Sequence, residues 1–229
     1  MKKNVKLWAS AGLIFLFVLW TVAVNLIDLN PIGPNGSIVG FSTVNGYFHN
    51  LTGVNFTLYT ITDWLGLVPF AICLCFGVLG FAQMIARRSV LKVDTDILIL
   101  GVFYILVIAA YLFFEKVVIN YRPVLINGIL EASYPSSTTL LVLSVMPTLV
   151  FQARRRLKNV AAIKAISILT IAFSVFMVAA RLVSGVHWLT DIVGAVLLSA
   201  GMFLIYRAAA SKFFKMEVRL WNFMKNFRN

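Results

Sequence analysis

Six long apolar stretches, separated by polar segments, constrain this chain more than any other feature of its sequence. A helix that crosses a bilayer needs about 20 mostly apolar residues. The six stretches are Leu7–Ile27, Leu65–Ala86, Ile97–Phe114, Thr138–Phe151, Ala161–Ala180 and Ile192–Ala209. Only 12% of the residues are charged, whereas soluble domains carry about 25%. The sequence therefore predicts an all-α, polytopic membrane protein with six transmembrane helices.

The positions of the cationic residues predict the orientation of these helices. Of the 20 Lys and Arg residues, all but Lys116, Arg122 and Arg181 fall at the N-terminus, in the connections after the second and fourth stretches, or from Arg207 onward. Cytoplasmic loops carry an excess of Lys and Arg, so we expect both termini in the cytoplasm and the three exceptions at the outer face. With no cleavable presequence recognised, a bacterial plasma membrane is the expected location.

The net charge of +12 could also indicate a nucleic-acid partner. The cations lie at the ends of apolar runs, however, so the anionic lipid of the inner leaflet is the expected partner and nucleic acid is not. The sequence sets no oligomeric state. It predicts a single domain over residues 1–229, with its motifs between Trp64 and Ala209.

Two further segments should lie along the membrane surface. Asp28–Trp64 contains no Lys or Arg and is rich in aromatic residues. It predicts one or two short amphipathic helices at the outer interface, where aromatic rings settle at headgroup level. Ser211–Asn229 alternates aromatic and basic residues, which predicts a basic helix on the inner leaflet.

Three polar segments converge on the predicted outer face: Glu115–Pro123, Tyr134–Thr139 and Arg181–Asp191. Arg122 and Arg181 offer planar donor groups suited to phosphate oxygens, and Lys116 adds a compact positive charge. Ser136 and Ser137, at the expected start of a helix, would direct backbone N–H groups and the positive end of the helix dipole at an anion.

His187 and Asp191 stand four residues apart, which would place them on one face if a helix began near His187. The carboxylate could then hold one ring nitrogen and leave the other as a nucleophile. Taken singly, each of these residues also has a structural interpretation, as a helix cap or a satisfied core histidine. Together, in a membrane protein, they predict phosphoryl transfer through a phosphohistidine, with no metal or cofactor required.

These segments resemble the signature of the type 2 phosphatidic acid phosphatase superfamily, which shares its site with vanadium haloperoxidases. That signature is Lys-x6-Arg-Pro, Pro-Ser-Gly-His and Ser-Arg-x5-His-x3-Asp. Arg122-Pro123, Pro135-Ser136 and the run from Arg181 through His187 to Asp191 match its parts. The resemblance implies His187 as the nucleophile, Asp191 as its orienting acid, Arg122 and Arg181 as phosphate ligands, and the backbone near Ser136 and Ser137 as the rest of the cradle.

The chain departs from that signature at three positions. Lys116 lies one residue too close to Arg122, and Glu115 takes its place. Ala180 replaces a serine. Thr138 stands where the family has the histidine that protonates the leaving group, and we expect Thr138 among the phosphate-binding residues. A threonine hydroxyl is no general acid, and loss of such an acid costs about 10²–10⁴-fold in rate. Either the substrate is a diphosphate with a good leaving group, or another acid serves (Glu115, Glu131 or His49), or the protein binds lipid without turnover.

Three functions remain open at this point. The first is a lipid phosphatase that acts at the outer face on a phospho- or diphospho-lipid, such as undecaprenyl diphosphate, a phosphatidylglycerophosphate or a phosphatidate. The second keeps the pocket but binds or moves phosphorylated lipid, or passes phosphate to an acceptor other than water. The third is a transporter or structural protein; the sequence disfavours it because polar groups are concentrated at one face and not at the midplane.

Overall fold

The computed structural model describes the backbone of Lys2–Asn226 and the side chains of residues 7–213, and eight α-helices lie within that range. They are α1 (Lys2–Leu26), α2 (Ser42–Thr52), α3 (Phe56–Leu65), α4 (Leu67–Arg87), α5 (Thr95–Lys116), α6 (Ser137–Arg156), α7 (Val160–Val183) and α8 (Leu189–Asn226). Single 3-10 turns occur at Pro34–Gly36 and Val90–Lys92.

Five stretches of the described helices are long and apolar enough to cross a membrane, which confirms the predicted polytopic all-α fold. They are Leu7–Leu26, Phe56–Arg87, Thr95–Lys116, Val160–Val183 and Leu189–Phe213. Helix α6 is about 30 Å long but more polar, and it packs against α4, α5, α7 and α8. A helix enclosed by other helices presents little surface to lipid. A sixth crossing, by α6, therefore stays a prediction.

The C-terminal segment predicted as a surface helix is continuous with α8. The helix runs unbroken from Leu189 to Asn226, and the sequence has no Gly or Pro after Gly201 to end it. The side chains from Phe214 onward and residues 227–229 lie outside the described residues. The basic interfacial character of Ser211–Asn229 thus stays a prediction.

Ion pairs join three helix ends at the basic end of the bundle. Arg87 Nη1, at the end of α4, lies 2.8 Å from Asp94 Oδ1. Arg156 Nη2, at the end of α6, lies 2.9 Å from Asp96 Oδ2 in the first turn of α5. The starts of α6 and α8 and the end of α7 therefore meet at the opposite end of the bundle.

The connection between α5 and α6 folds back on itself as a hairpin. The N–H of Arg122 donates to the carbonyl of Glu131 at 3.0 Å, and the N–H of Ser133 donates to the carbonyl of Asn120 at 2.9 Å. Its tip is an Asn127-Gly128 turn in which φ is +50° and +79°, the left-handed pair that a tight two-residue hairpin turn requires. The hairpin carries Arg122, Glu131 and Ser133 side by side.

Helices α2 and α3 occupy the Asp28–Trp64 segment, as predicted, and brace the connection between α7 and α8. The Asn45 side chain donates to Thr190 Oγ1 at 3.0 Å, and the N–H of Asn55 donates to the carbonyl of Ser184 at 3.0 Å. Asn55 also begins α3, since its side chain accepts from the N–H of Leu58. Helices α2 and α3 thereby fix the loop that precedes α8.

Candidate active site

His187 lies in the loop between α7 and α8 and is only 3% exposed. Its Nε2 is 3.1 Å from Arg122 Nη1, and its Nδ1 is 3.0 Å from Ser133 Oγ. A guanidinium can only donate a hydrogen bond, so Nε2 must accept and Nδ1 must carry the hydrogen. The ring is therefore held in one tautomer, with its lone pair on Nε2.

Ser133 connects His187 to Asp191. The Ser133 hydroxyl accepts from His187 Nδ1 and donates to Asp191 Oδ2. The direct separation between His187 Nδ1 and Asp191 Oδ2 is 3.6 Å, beyond the range of a good hydrogen bond. The serine hydroxyl thus relays the orienting effect of the carboxylate to the ring.

Helix α8 begins at Leu189, after His187, so the shared helical face expected for His187 and Asp191 does not form. Asp191 occupies the third position of the helix, and its Oδ2 accepts from the N–H of Trp188 at 2.8 Å. In a capping box, the side chain at the third helical position accepts from the N–H of the N-cap residue in this way. One carboxylate therefore both caps α8 and holds the His187–Ser133 pair, so the two interpretations of Asp191 are compatible.

The surroundings of His187 keep its imidazole neutral. Burial lowers the pKa of His187 well below its usual value, and the positive charges of Arg122 and Arg181 lower it further. Only the neutral ring has a free electron pair at Nε2. The histidine is therefore in its nucleophilic form at neutral pH.

Arg122 is buried at the base of the hairpin and contacts three groups. Beyond its contact with His187, its Nε lies 3.0 Å from Glu131 Oε2. Its guanidinium carbon lies 5.9 Å from the centre of the Tyr59 ring, within the range of a cation–π interaction. The hairpin thus holds one guanidinium directly in front of the imidazole.

Arg181, in the last turn of α7, is 1% exposed and reaches across to α3 and α6. Its Nη2 donates to Thr138 Oγ1 at 2.7 Å, and its Nη1 donates to Thr62 Oγ1 at 3.1 Å. Asp63 Oδ1 lies 3.5 Å from Nη2. The Tyr59 ring, with its centre 4.8 Å from the guanidinium carbon, lies beside this group as well. Tyr59 therefore contacts both guanidinium groups.

These two arginines line an open cleft of about 510 Å³. Its polar lining consists of Asp63, Glu115, Arg122, Glu131, Ser137, Thr138 and Arg181. Ser137 and Thr138 are the first residues of α6, where backbone N–H groups have no acceptor within the helix and the dipole is positive. The cleft therefore combines two guanidinium groups with a helix N-terminus, a combination suited to phosphate.

Two of the predicted phosphate ligands lie elsewhere. The N–H of Ser136 donates to the carbonyl of Asp191 at 3.2 Å and its hydroxyl donates to Thr139, so Ser136 packs behind the cleft. Lys116 is exposed at the end of α5 and does not line the cleft, whereas Glu115 does. Adjacent residues on a helix point about 100° apart, which explains why only one of the two can face it.

Four residues of the cluster are missing from the prediction based on motifs: Tyr59, Thr62, Asp63 and Ser133. The first three come from α3, in the segment assigned only to the membrane interface. The sequence does set Asp63 apart, since it is one of only 8 acidic residues and stands in a segment without cations. Ser133 has no distinguishing spacing; only the Asn127-Gly128 hairpin signal would have placed it beside Asn120 and Arg122.

His49, one of the candidate substitute acids, is not part of the cleft lining. Its ring packs on Trp188, with 5.5 Å between ring centres. Burial lowers the pKa of His49, which favours the form without a proton to donate. Within the described residues, no group of three or more His, Cys, Asp or Glu side chains is arranged to hold a metal ion.

Comparisons with known proteins agree with this architecture. The model of the PAP2 superfamily matches residues 98–215, which include the hairpin, the start of α6 and the loop with His187. No curated protein matches the sequence. Among solved structures, the chain is similar to a transmembrane PAP2-type phosphatidylglycerolphosphate phosphatase from Bacillus subtilis, at 16% identity and a TM-score of 0.55. The match covers 89% of this chain and 96% of the other, and at that identity the similarity is one of fold. The chain is a multi-pass membrane protein that belongs to the PAP2 superfamily.

Proposed function

We propose that this protein is a membrane lipid phosphatase that works through a phosphohistidine on His187. The observation that carries the proposal is the arrangement around the imidazole: Nδ1 is held by Ser133 and Asp191, while Nε2 faces the Arg122 guanidinium at 3.1 Å. His187 does not line the cleft, so a phosphate bound between Arg122 and Arg181 must displace the contact between Arg122 and Nε2 to bring its phosphorus to that electron pair. Such a site works chiefly by placement and by stabilising charge.

The chemical step forms a bond from His187 Nε2 to phosphorus and breaks the bond from phosphorus to the leaving oxygen. Arg122 exchanges its contact with His187 for the phosphoryl oxygens, and Arg181 and the first N–H groups of α6 share the remaining charge. Asp191, through Ser133, stabilises the positive charge that develops on the ring. Water then attacks the phosphohistidine, and inorganic phosphate and the free imidazole are regenerated.

The leaving group decides the preferred substrate class. Thr138 Oγ1 accepts from Arg181 at 2.7 Å, so this residue supports the arginine and supplies no acid. Among the carboxylates of the cleft, Glu131 and Asp63 are ion-paired with Arg122 and Arg181. Each of these carboxylates is held by its arginine, which leaves Glu115 as the one carboxylate of the cleft lining available as a substitute acid. We therefore favour a lipid diphosphate of the undecaprenyl type as the substrate, because its leaving group is a lipid monophosphate of low basicity. A monoester such as a phosphatidylglycerophosphate or a phosphatidate would instead release a strongly basic alkoxide.

The membrane side on which we place the cleft follows from the charged residues at the two ends of the helix bundle. The cluster around His187 lies opposite the ends of α4 and α6, where Arg87 and Arg156 are ion-paired. The positive-inside bias supports a cytoplasmic position for that basic end. We place both termini in the cytoplasm, the cleft at the outer face of the plasma membrane, and all 229 residues in one domain. The partners are the lipid substrate and the bilayer.

The test is phosphate release by purified protein in detergent, on a panel of lipid diphosphates and monophosphates. We expect turnover of the diphosphate, loss of turnover in His187→Ala, and transfer of labelled phosphate to the wild-type protein but not to the variant. Turnover that survives in His187→Ala would contradict the mechanism. Equal rates on diphosphate and monophosphate lipids would contradict the leaving-group preference alone.

A second function is favoured by one specific observation, the threonine at position 138. A PAP2-like protein without its acid could bind or move phosphorylated lipid, or pass phosphate to an acceptor other than water. Lipid binding measured beside phosphate release separates these outcomes. Binding without release on any lipid of the panel indicates a binding protein, and labelled protein that transfers its phosphate only to an added acceptor indicates a phosphotransferase.

A further inference from the structure

A groove opens between α6, α7 and α8 at the end of the bundle opposite His187. Its volume is about 530 Å³. The inner wall is apolar and consists mainly of Leu143, Pro147, Val150, Ile171 and Val175. These residues lie in the middle turns of α6 and α7, so the apolar part of the groove extends from the basic end toward the centre of the bundle.

The mouth of the groove is cationic. Arg154, Arg155 and Arg207 line it, together with the hydroxyl-bearing Ser167 and Ser211, and among residues 7–213 no acidic side chain does so. Arg155 is anchored: its guanidinium lies 3.6 Å from Asp96 and 5.4 Å from the centre of the Phe151 ring. Arg154 and Arg207 are exposed, and neither forms an ion pair with any described side chain.

The groove differs from the catalytic cleft in each property that decides its ligand. The cleft mixes arginines with three carboxylates, has few apolar walls, and lies where α6 begins. The groove has arginines as the only charged residues of its lining, a long floor that is apolar except for Thr170 and Ser174, and lies where α6 ends. A ligand that fits it must carry negative charge at one end and an apolar chain at the other. Basic pockets between transmembrane helices at the cytoplasmic side bind anionic lipid headgroups in this way.

We infer that this groove binds one anionic phospholipid of the inner leaflet, with its phosphate between Arg154 and Arg207 and one acyl chain along α6 and α7. Guanidinium groups pair with phosphate oxygens in two-pronged fashion, which is stronger than a single contact. The bound lipid is not a substrate, because the groove lining contains no histidine and its cationic mouth lies at the end of α6 opposite His187.

The lipid would also hold α7 in place. Helix α7 packs mainly on α6 and α3 and meets α8 only sparsely, although it supplies Arg181 to the cleft. An acyl chain between α7 and α8 would fill the space that these helices leave between them. Binding should therefore raise the thermal stability of the folded protein, since a ligand that binds only the folded state stabilises it.

The test compares thermal unfolding of detergent-purified protein with added phosphatidylglycerol and with added phosphatidylcholine of the same chain length. The groove variant is Arg154→Gln/Arg207→Gln. The matched control is Lys158→Gln/Lys164→Gln, which removes the same charge from exposed positions at the same end of the bundle but outside the groove. We expect a rise in Tm with phosphatidylglycerol only, which is retained in the control and, at the lipid concentration that half-saturates the wild type, is largely lost in the groove variant. The half-saturating lipid concentration should rise about tenfold or more in the groove variant.

Two further variants locate the bound lipid. Val175→Trp, at an exposed position in the groove wall, should block the acyl chain and reduce the stabilisation. Arg122→Gln, in the catalytic cleft, should leave it unchanged. If the groove and control variants lost the lipid-dependent rise in Tm equally, the rise would come from diffuse surface charge and the inference would be wrong. An equal rise with both lipids, or a rise that depends on Arg122, would also overturn it. Retained stabilisation in Val175→Trp would overturn the position of the chain. Because no arm measures turnover, these outcomes are independent of the proposed activity.

Discussion

The Oγ of Ser133 lies 3.0 Å from Nδ1 of His187, closer than the 3.6 Å that separates the same nitrogen from Asp191. The serine is therefore the group that holds the ring, and the carboxylate acts through it. In Ser133→Ala the imidazole loses this contact and can adopt the other tautomer. We expect kcat to fall about 10²-fold, within the range found for acid–base and orienting groups, with little change in KM.

The matched control for that substitution is Ser199→Ala. Ser199 is also fully buried, and its hydroxyl donates to the carbonyl of Val196 within α8. It has no contact with the cluster, so the control should keep its kcat within about twofold of the wild type. Similar losses in both variants would indicate that Ser133 is merely a packing residue.

The acidic limb of the pH profile of kcat/KM should lie at lower pH than a histidine with an ordinary pKa would give. In the proposed mechanism the neutral imidazole is the reactive form, so activity should fall as the pH drops through the pKa of His187. Burial and the two arginines lower that pKa well below its usual value, so we expect activity to persist through the mildly acidic range in which an ordinary histidine is protonated. In Arg122→Gln one positive charge is gone, the pKa rises, and the acidic limb of the residual activity should move to higher pH. An unmoved limb would mean that another group titrates.

The fold was more predictable than the site, for physical reasons that particular residues illustrate. Apolar length predicts helices at membrane depth because unpaired backbone groups in lipid are so costly. The five described helical stretches that are long and apolar enough to cross a membrane follow from it. Apolar length does not predict helix α6, because other helices and not lipid surround it. Its residues Ser144, Thr148 and Gln152 are buried polar groups, which lower its hydropathy without excluding it from the bundle.

Within the site, sequence spacing brought out Arg122, Arg181, His187 and Asp191, but not the residues that hold them. Tyr59 and Thr62 belong to α3, and only tertiary packing brings that helix onto Arg181. The Asn127-Gly128 pair between Ile126 and Ile129 is a strong hairpin signal, but the prediction from motif spacing does not include it. It would have indicated that the α5–α6 connection folds back, and with that the proximity of Ser133 and Glu131 to Arg122.

Thr138→His should shift the protein toward monoester substrates. A histidine at the start of α6 would face the cleft and could protonate an alkoxide leaving group, a role worth about 10²–10⁴-fold. We expect the ratio of the phosphatidate rate to the diphosphate rate to rise at least about tenfold. The control is Thr138→Asn, which can still accept from Arg181 but offers no acid. A rise in both variants would trace the change to Arg181 and not to proton transfer.

Tyr59 should matter through its ring and not its hydroxyl. The guanidinium groups of Arg181 and Arg122 lie 4.8 and 5.9 Å from the ring centre, and partly desolvated cation–π contacts contribute about 1–2 kcal/mol each. Tyr59→Leu removes the ring's electrostatic attraction and should raise KM for the lipid phosphate about tenfold. Tyr59→Phe keeps the ring face and should behave like the wild type. Loss in Tyr59→Phe as well would assign the effect to the phenolic oxygen.

Gly185 should tolerate no side chain, because the loop that carries His187 passes directly over the end of α2. Its φ is +68°, and a Cβ there would lie 1.9 Å from the carbonyl oxygen of Gly53. The left-handed conformation alone costs an alanine about 1–2 kcal/mol, and the clash is with backbone that cannot move aside. Gly185→Ala should therefore lower Tm and abolish phosphate release. Gly77→Ala, in the middle of α4 with no atom within 4 Å of its Cβ, should leave activity unchanged and Tm equal or higher. A fully active Gly185→Ala protein would show that the loop adopts another course than the one that brings His187 to Arg122.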